Sequence, residues 1–105
     1  MNEREAILEL TNVRSHLSTA RRRWIAFLQA LDSYVATPHV TSWWRTEEHN
    51  KEVGGLPNSH HLTGDAIDVV WQGDAPDDAM LKKTATQYGV RVVREGDHEH
   101  FQFET

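Results

Sequence analysis

The sequence has no cysteine. Disulfides and thiolate metal ligands are thereby excluded, and any metal must be held by histidine or carboxylate. It also lacks an apolar run approaching the roughly 20 residues of a membrane span, and no apolar segment follows a basic start as in a signal peptide. The expectation is a chain that does not insert into a membrane and is cytoplasmic on synthesis. Basic residues are scarce in the second half. Residues 1–52 carry seven basic and seven acidic side chains and residues 53–105 carry four and nine, so all of the net charge of −5 falls in the second half. Such a surface argues against nucleic acid as the main partner and suits a bound cation. Glycine and proline are absent from the first 37 residues.

What is present describes a folded chain. With 105 residues, 38% hydrophobic, 26% charged and four Trp, the composition suits one domain with a modest core and no separate recognition module. Residues 1–105 are read as that domain, with a helical N-terminal part (1–36) and a sheet-based core (37–105). Ile7, Leu10, Val13 and Leu17, then Trp24, Phe27/Leu28, Leu31 and Val35, recur at three- and four-residue steps. This predicts one long or two consecutive helices ending before Pro38. Arg21-Arg22-Arg23 points in three directions on such a helix and reads as a solvated face.

Beyond Pro38, His39 to Trp44 is rich in β-formers and predicts a strand with Arg45 at its end. Thr46 to Asn58 is polar, carries Gly54-Gly55 and Pro57-Asn58, and reads as a surface loop. Ala66 to Trp71 alternates as a strand, turning Ile67, Val69 and Trp71 one way and Ala66 and Asp68 the other. Pro76 and Gly89 bracket a short helix. Val90 to Arg94 and His98 to Phe103 read as strands joined through Glu95-Gly96-Asp97, with Phe101 and Phe103 on one face and His98, His100 and Gln102 on the other. This order predicts an α+β fold, a small antiparallel sheet covered by helices.

Chemistry is concentrated in Ser59-His60-His61-Leu62-Thr63-Gly64-Asp65-Ala66-Ile67-Asp68 and in Asp97-His98-Glu99-His100. Taken singly, His16, His39 and His49 read as ordinary surface or core histidines with satisfied hydrogen bonds. Alternation does not account for His61 at a Gly-flanked loop end, Asp68 on the next strand and the pair His98 and His100. Two histidines and a carboxylate supply what an open zinc site needs, and such a zinc lowers the pKa of water to about 7. The expected chemistry is hydrolysis.

SHHLTGDAID resembles the S-x-H-x-x-G-x-A-x-D signature of the zinc D-alanyl-D-alanine carboxypeptidases and L-alanyl-D-glutamate endopeptidases of bacterial peptidoglycan, whose fold the hedgehog signalling domain shares. DHEHFQ resembles that family's second motif. Ser42-Trp43-Trp44-Arg45, with Asn50 and Gly54-Gly55, resembles its upstream segment. Together these cover about residues 37 to 104. The resemblance implies a hedgehog/DD-peptidase-like fold and one Zn2+ held by His61, Asp68 and His100. It implies Asp97 as general base, where many relatives have Glu, with Glu95 as the competitor. Arg45 would contact the substrate or the oxyanion, His98 would assist on the same face, and Ser59 would orient the ligand loop. The implied substrate is a peptidoglycan stem peptide, cut at an LD or a DD bond. The resemblance suggests a phage lysis enzyme acting after release, or a catalytic domain carried on a virion, with an endogenous bacterial origin as the alternative. The alternatives are a zinc-containing binding module without turnover and a D-Ala-D-Ala dipeptidase.

Overall fold

The structure, a computed structural model, describes residues 2–32 and 36–104, and for residues 6–11 the backbone alone. The first helix, α1, spans Glu3–Leu31. Asn2 caps it by accepting from the Glu5 amide at 2.9 Å, and Glu3 and Glu5 in the first turn favour the positive end of the helix dipole. Its buried face is Ala20, Trp24, Phe27 and Leu31, spaced by four, three and four residues as one helical stripe requires. Leu28 packs at the margin. Val13, expected on the same stripe, is exposed. The expected contributions of the Ile7 and Leu10 side chains and of Val35 lie outside the described residues. No described helix is long and apolar enough to cross a membrane.

Strand β1 is Thr37–Ser42, followed by helix α2, Glu47–Glu52, and a 3₁₀ turn, His60–Thr63. Then come β2 (Ala66–Gln72), α3 (Asp78–Gln87), β3 (Val90–Arg94) and β4 (Glu99–Phe103). The four strands form one antiparallel sheet in the order β1-β2-β4-β3. Three boundaries differ from the sequence expectation. β1 starts before Pro38, which sits near the beginning of a sheet-edge strand where its missing N–H does no harm, and it stops at Ser42 after a bulge between Val40 and Ser42. The segment expected to be all loop contains α2, capped by Thr46, whose hydroxyl accepts from the His49 amide. β4 begins at Glu99, which leaves His98 in the preceding turn.

The core lies between one sheet face and the two longer helices. Ile67, Val69, Val90, Phe101 and Phe103 from the sheet meet the α1 stripe and Leu81 and Ala85 of α3. Trp24 stacks on Phe103 with centroids 3.9 Å apart, and Phe27 meets Phe101 edge-on at 5.0 Å. Glu99 also turns to this face and is buried. Its carboxylate accepts from Trp71 Nε1 and, at 2.9 Å, from Arg94 Nε, which satisfies the charge where it is buried.

Gly64 joins the helix to the other face. Its φ is +79°, and an added Cβ would lie 2.7 Å from Leu17 Cδ2. Its carbonyl accepts from Trp24 Nε1 at 2.9 Å and from Trp43 Nε1 at 2.7 Å. Gly64→Ala therefore combines a left-handed backbone with a steric clash and is expected to cost more than about 1 kcal/mol. Equilibrium denaturant unfolding checks this, and an unchanged midpoint would show that the turn adapts.

Candidate metal centre

Sheet register brings the site together. Ser42 pairs with Asp68, and Asp68 pairs with His100. Directly opposed residues share a face, so the three form a row on the side away from the core. His61 comes to this row from the 3₁₀ turn. Ser59 starts that turn, its hydroxyl accepting from the His61 amide at 3.2 Å, and Gly64 ends it in the left-handed region. The His61 carbonyl accepts from the Arg45 amide at 2.9 Å, which fixes the ligand turn to the chain leaving β1.

His61, Asp68 and His100 each offer one ligand atom, and all three atoms lie within 4.8 Å of one another. His61 Nε2 is 3.2 Å from Asp68 Oδ2, and His100 Nδ1 is 2.9 Å from Asp68 Oδ1. Two ligands on a tetrahedral zinc with bonds of about 2.0–2.1 Å stand roughly 3.3 Å apart, so the two histidine–carboxylate separations are compatible with an ion between them.

The outer hydrogen bonds point the same way. His61 Nδ1 lies 2.6 Å from the Trp43 carbonyl and His100 Nε2 lies 3.1 Å from Gln102 Oε1. A backbone carbonyl only accepts, so His61 carries a proton on Nδ1, its outer nitrogen, while the Gln102 amide partners the outer nitrogen of His100. A neutral imidazole then turns a lone pair toward Asp68, and lone pair facing carboxylate needs either an extra proton or a cation between them. Orientation by outer acceptors is what metal-binding histidines require. The donor set, the spacing and the His61 tautomer all fit a divalent ion.

Charge and hydrogen bonding shift two groups of the cluster in the metal-free protein. Burial would raise the Asp68 carboxyl, but the bonds from His100 and His61, with their charge, hold it well below the usual carboxylate range. The bond to Asp68 raises His100 above the ordinary imidazole value, with burial opposing.

Around the three, an open cavity of about 580 Å³ is lined by Arg45, Leu56, Glu95, His98 and Gln102. Arg45 is largely buried, with Nη2 at 3.4 Å from Asp68 Oδ2, Nε at 3.2 Å from Ser42 Oγ and Nη1 at 3.4 Å from Asn50 Oδ1. Its ion-pair partner is Asp68 rather than Glu47 or Glu48. Trp43 is partly buried against the core and Trp44 is exposed.

Asp97 stands apart. Its side chain is 90% exposed and does not line the cavity. Its carboxylate is 2.7 Å from His98 Nδ1, a contact that lowers the Asp97 carboxyl and raises the His98 imidazole. His98 Nε2 lies 3.2 Å from Glu95 Oε2. Sequence reasoning gave no site role to Gln102, the Trp43 carbonyl or the buried Asn50. Gln102 left a signal by sharing the alternation of His98 and His100, and Asn50 by standing in the upstream segment.

The chain is an α+β domain with a His–Asp–His cluster, able to hold a divalent ion, on the open face of its antiparallel sheet. The family model of Peptidase M15 matches residues 3–102, and the chain belongs to that family, the zinc peptidases of D-Ala-D-Ala carboxypeptidase and endopeptidase type. The match takes in α1, which the sequence motifs left out. No curated protein and no solved structure matches the chain.

The pKa shifts set a pH dependence for the metal-free protein. The raised His100 stabilises fully below its ordinary value of 6.5 and loses that contribution as pH rises through the raised value. The lowered Asp68 stabilises fully above its ordinary value of 3.8 and loses it only as pH falls well below. Chelated protein should thus unfold at lower denaturant at about pH 8.5 than at about pH 5.5. Zinc should reverse that order, because it takes the neutral imidazoles. The same order with and without zinc would mean that these side chains do not hold the ion.

Proposed function

We propose that this chain is a zinc metallopeptidase that hydrolyses a peptide bond in the stem peptide of bacterial peptidoglycan, of LD-endopeptidase or DD-carboxypeptidase type. The observation that carries the reading is the convergence of three metal-ligand atoms with Arg45 on one open cavity. His61, Asp68 and His100 hold one zinc. Zinc in such a site polarises a scissile carbonyl and brings the pKa of water near neutrality.

The protein's own groups supply the rest. Arg45 spends one N–H on Ser42, one on Asn50 and one on Asp68. A guanidinium has five, so two remain for a substrate carboxylate or for the oxygen on which charge develops. Proton transfer falls to the group formed by Asp97, His98 and Glu95. Glu95 reaches the cavity directly, whereas Asp97, the acid three residues before His100, reaches it through the His98 ring that it orients. Ser59 keeps the His61 turn in shape.

On defined peptidoglycan, chelator should abolish fragment release, zinc should restore it, and His61→Ala should eliminate it, as read by mass spectrometry of the fragments. Intact cleavage by His61→Ala would end the reading. Glu95→Gln is expected to lower kcat by about 10²-fold or more. Asp97→Asn, one step removed, should lower it less, and the opposite order would make Asp97 the base.

The exposure of Asp97 favours a second reading, a zinc-containing binding module without turnover. One equivalent of zinc with no hydrolysis of any stem peptide would select it. Cleavage of free D-Ala-D-Ala but not of sacculi would make the substrate the dipeptide.

A further inference from the structure

We propose that Asn50 is the positioning residue for Arg45, and that Gly55 is glycine to make room for it. The inference rests on the substrate-facing role given to Arg45 under the proposed function. α2 is polar throughout, and Asn50 is its one buried side chain among the described residues, at 3% exposure. A buried amide needs partners on both atoms, and those of Asn50 face in two directions. Nδ2 donates to the Leu56 carbonyl at 2.8 Å, closing the loop after α2, while Oδ1 accepts from Arg45 Nη1.

The two glycines beyond α2 have opposite reasons to be glycine. Gly54 has φ +74° and nothing within 4 Å of an added Cβ, so the backbone requires it. Gly55 has no such φ, but an added Cβ would lie 2.0 Å from Asn50 Oδ1. What Gly55 provides is space, and the atom using that space is the one that accepts from Arg45. The Gly55 amide also donates to the Asn50 carbonyl at 2.8 Å, which fixes the two residues against each other.

Arg45 is thereby held from three sides. Ser42 takes Nε, Asp68 takes Nη2 and Asn50 takes Nη1. Removing Asn50 takes away the acceptor of Nη1 and loosens the guanidinium, still tied to Ser42 and Asp68, from its set orientation without touching a metal ligand. Displacement of a positioned group by about 1 Å can cost up to 10²-fold in rate.

Kinetics on the stem peptide and NMR of the Arg45 guanidinium nitrogens in zinc-loaded protein test this together. Asn50→Ala should lower kcat/KM by about tenfold with zinc content unchanged. Asn50→Asp, which keeps an acceptor for Arg45 but loses the bond to Leu56, should recover most of that loss. In an Arg45→Ala background, Asn50→Ala should add less than about twofold. Slow rotation of the Arg45 guanidinium should disappear in Asn50→Ala, and also in Gly55→Ala, which serves if the first variant does not fold. A full multiplicative loss in the Arg45→Ala background, or unchanged Arg45 resonances in either folded variant, overturns the assignment. If the unmodified protein cleaves no stem peptide, the proposed function fails, while the NMR comparison, which needs no turnover, still decides for or against Asn50.

Discussion

One carbonyl oxygen joins the two halves of this protein. Gly64 O accepts an indole N–H from Trp24 on α1 and another from Trp43 beyond β1. Trp24 is a core residue stacked on Phe103, and the Trp43 carbonyl is the acceptor that orients His61. The same tight turn that carries the Gly64 carbonyl therefore links the hydrophobic core to the placement of the His61 side chain. The left-handed conformation of Gly64 makes this possible, because it closes the 3₁₀ turn over Leu17 where a side chain would not fit. A further tie runs from Asp65, whose carboxylate meets His16 of α1 at 2.9 Å and Thr63 at 2.8 Å. The long helix holds the ligand turn as well as covering the sheet.

The division of the sheet into two faces follows from period-two alternation, and that is why so much of the site is legible in the sequence. Ile67, Val69, Phe101 and Phe103 read as one face and Asp68, His100 and Gln102 as the other, and both assignments hold because strand periodicity is a local property. α3 is legible for a similar reason: Asp77 caps it by accepting from the Met80 amide, and Gly89 at φ +67° follows its end. What escapes is set by tertiary structure. α2 has no apolar stripe because its only buried group is an amide that reaches Arg45. Val13 falls outside the core because α1, about 43 Å long at 1.5 Å per residue, exceeds the 27 Å and 21 Å widths of the molecule. Its described buried side chains begin only at Ala20. The displacement of Asp97 from the cavity depends on where β4 starts, one residue later than alternation suggests.

Electrostatics and packing are kept apart by the same sheet. On the core face, Glu99 is paired with the Arg94 charge and accepts from the Trp71 indole, so its burial beside Val69 leaves no unpaired charge. On the open face, Asp68 gathers His61, His100 and Arg45 around one carboxylate. That arrangement sets two imidazoles and a guanidinium around one carboxylate, and the imidazoles with the carboxylate could hold a divalent ion. It also sets Arg45 beside the cluster, oriented by Ser42 and Asn50 as well as by Asp68.

The central claim is that the inward nitrogens of His61 and His100, with Asp68, surround one ion. Zinc K-edge X-ray absorption on protein loaded with one equivalent tests it most directly. Two imidazole nitrogens and oxygen ligands at about 2.0–2.1 Å are expected, falling to one imidazole in His61→Ala and remaining two in His98→Ala. An imidazole count that drops in His98→Ala, or is unmoved in His61→Ala, would contradict the account.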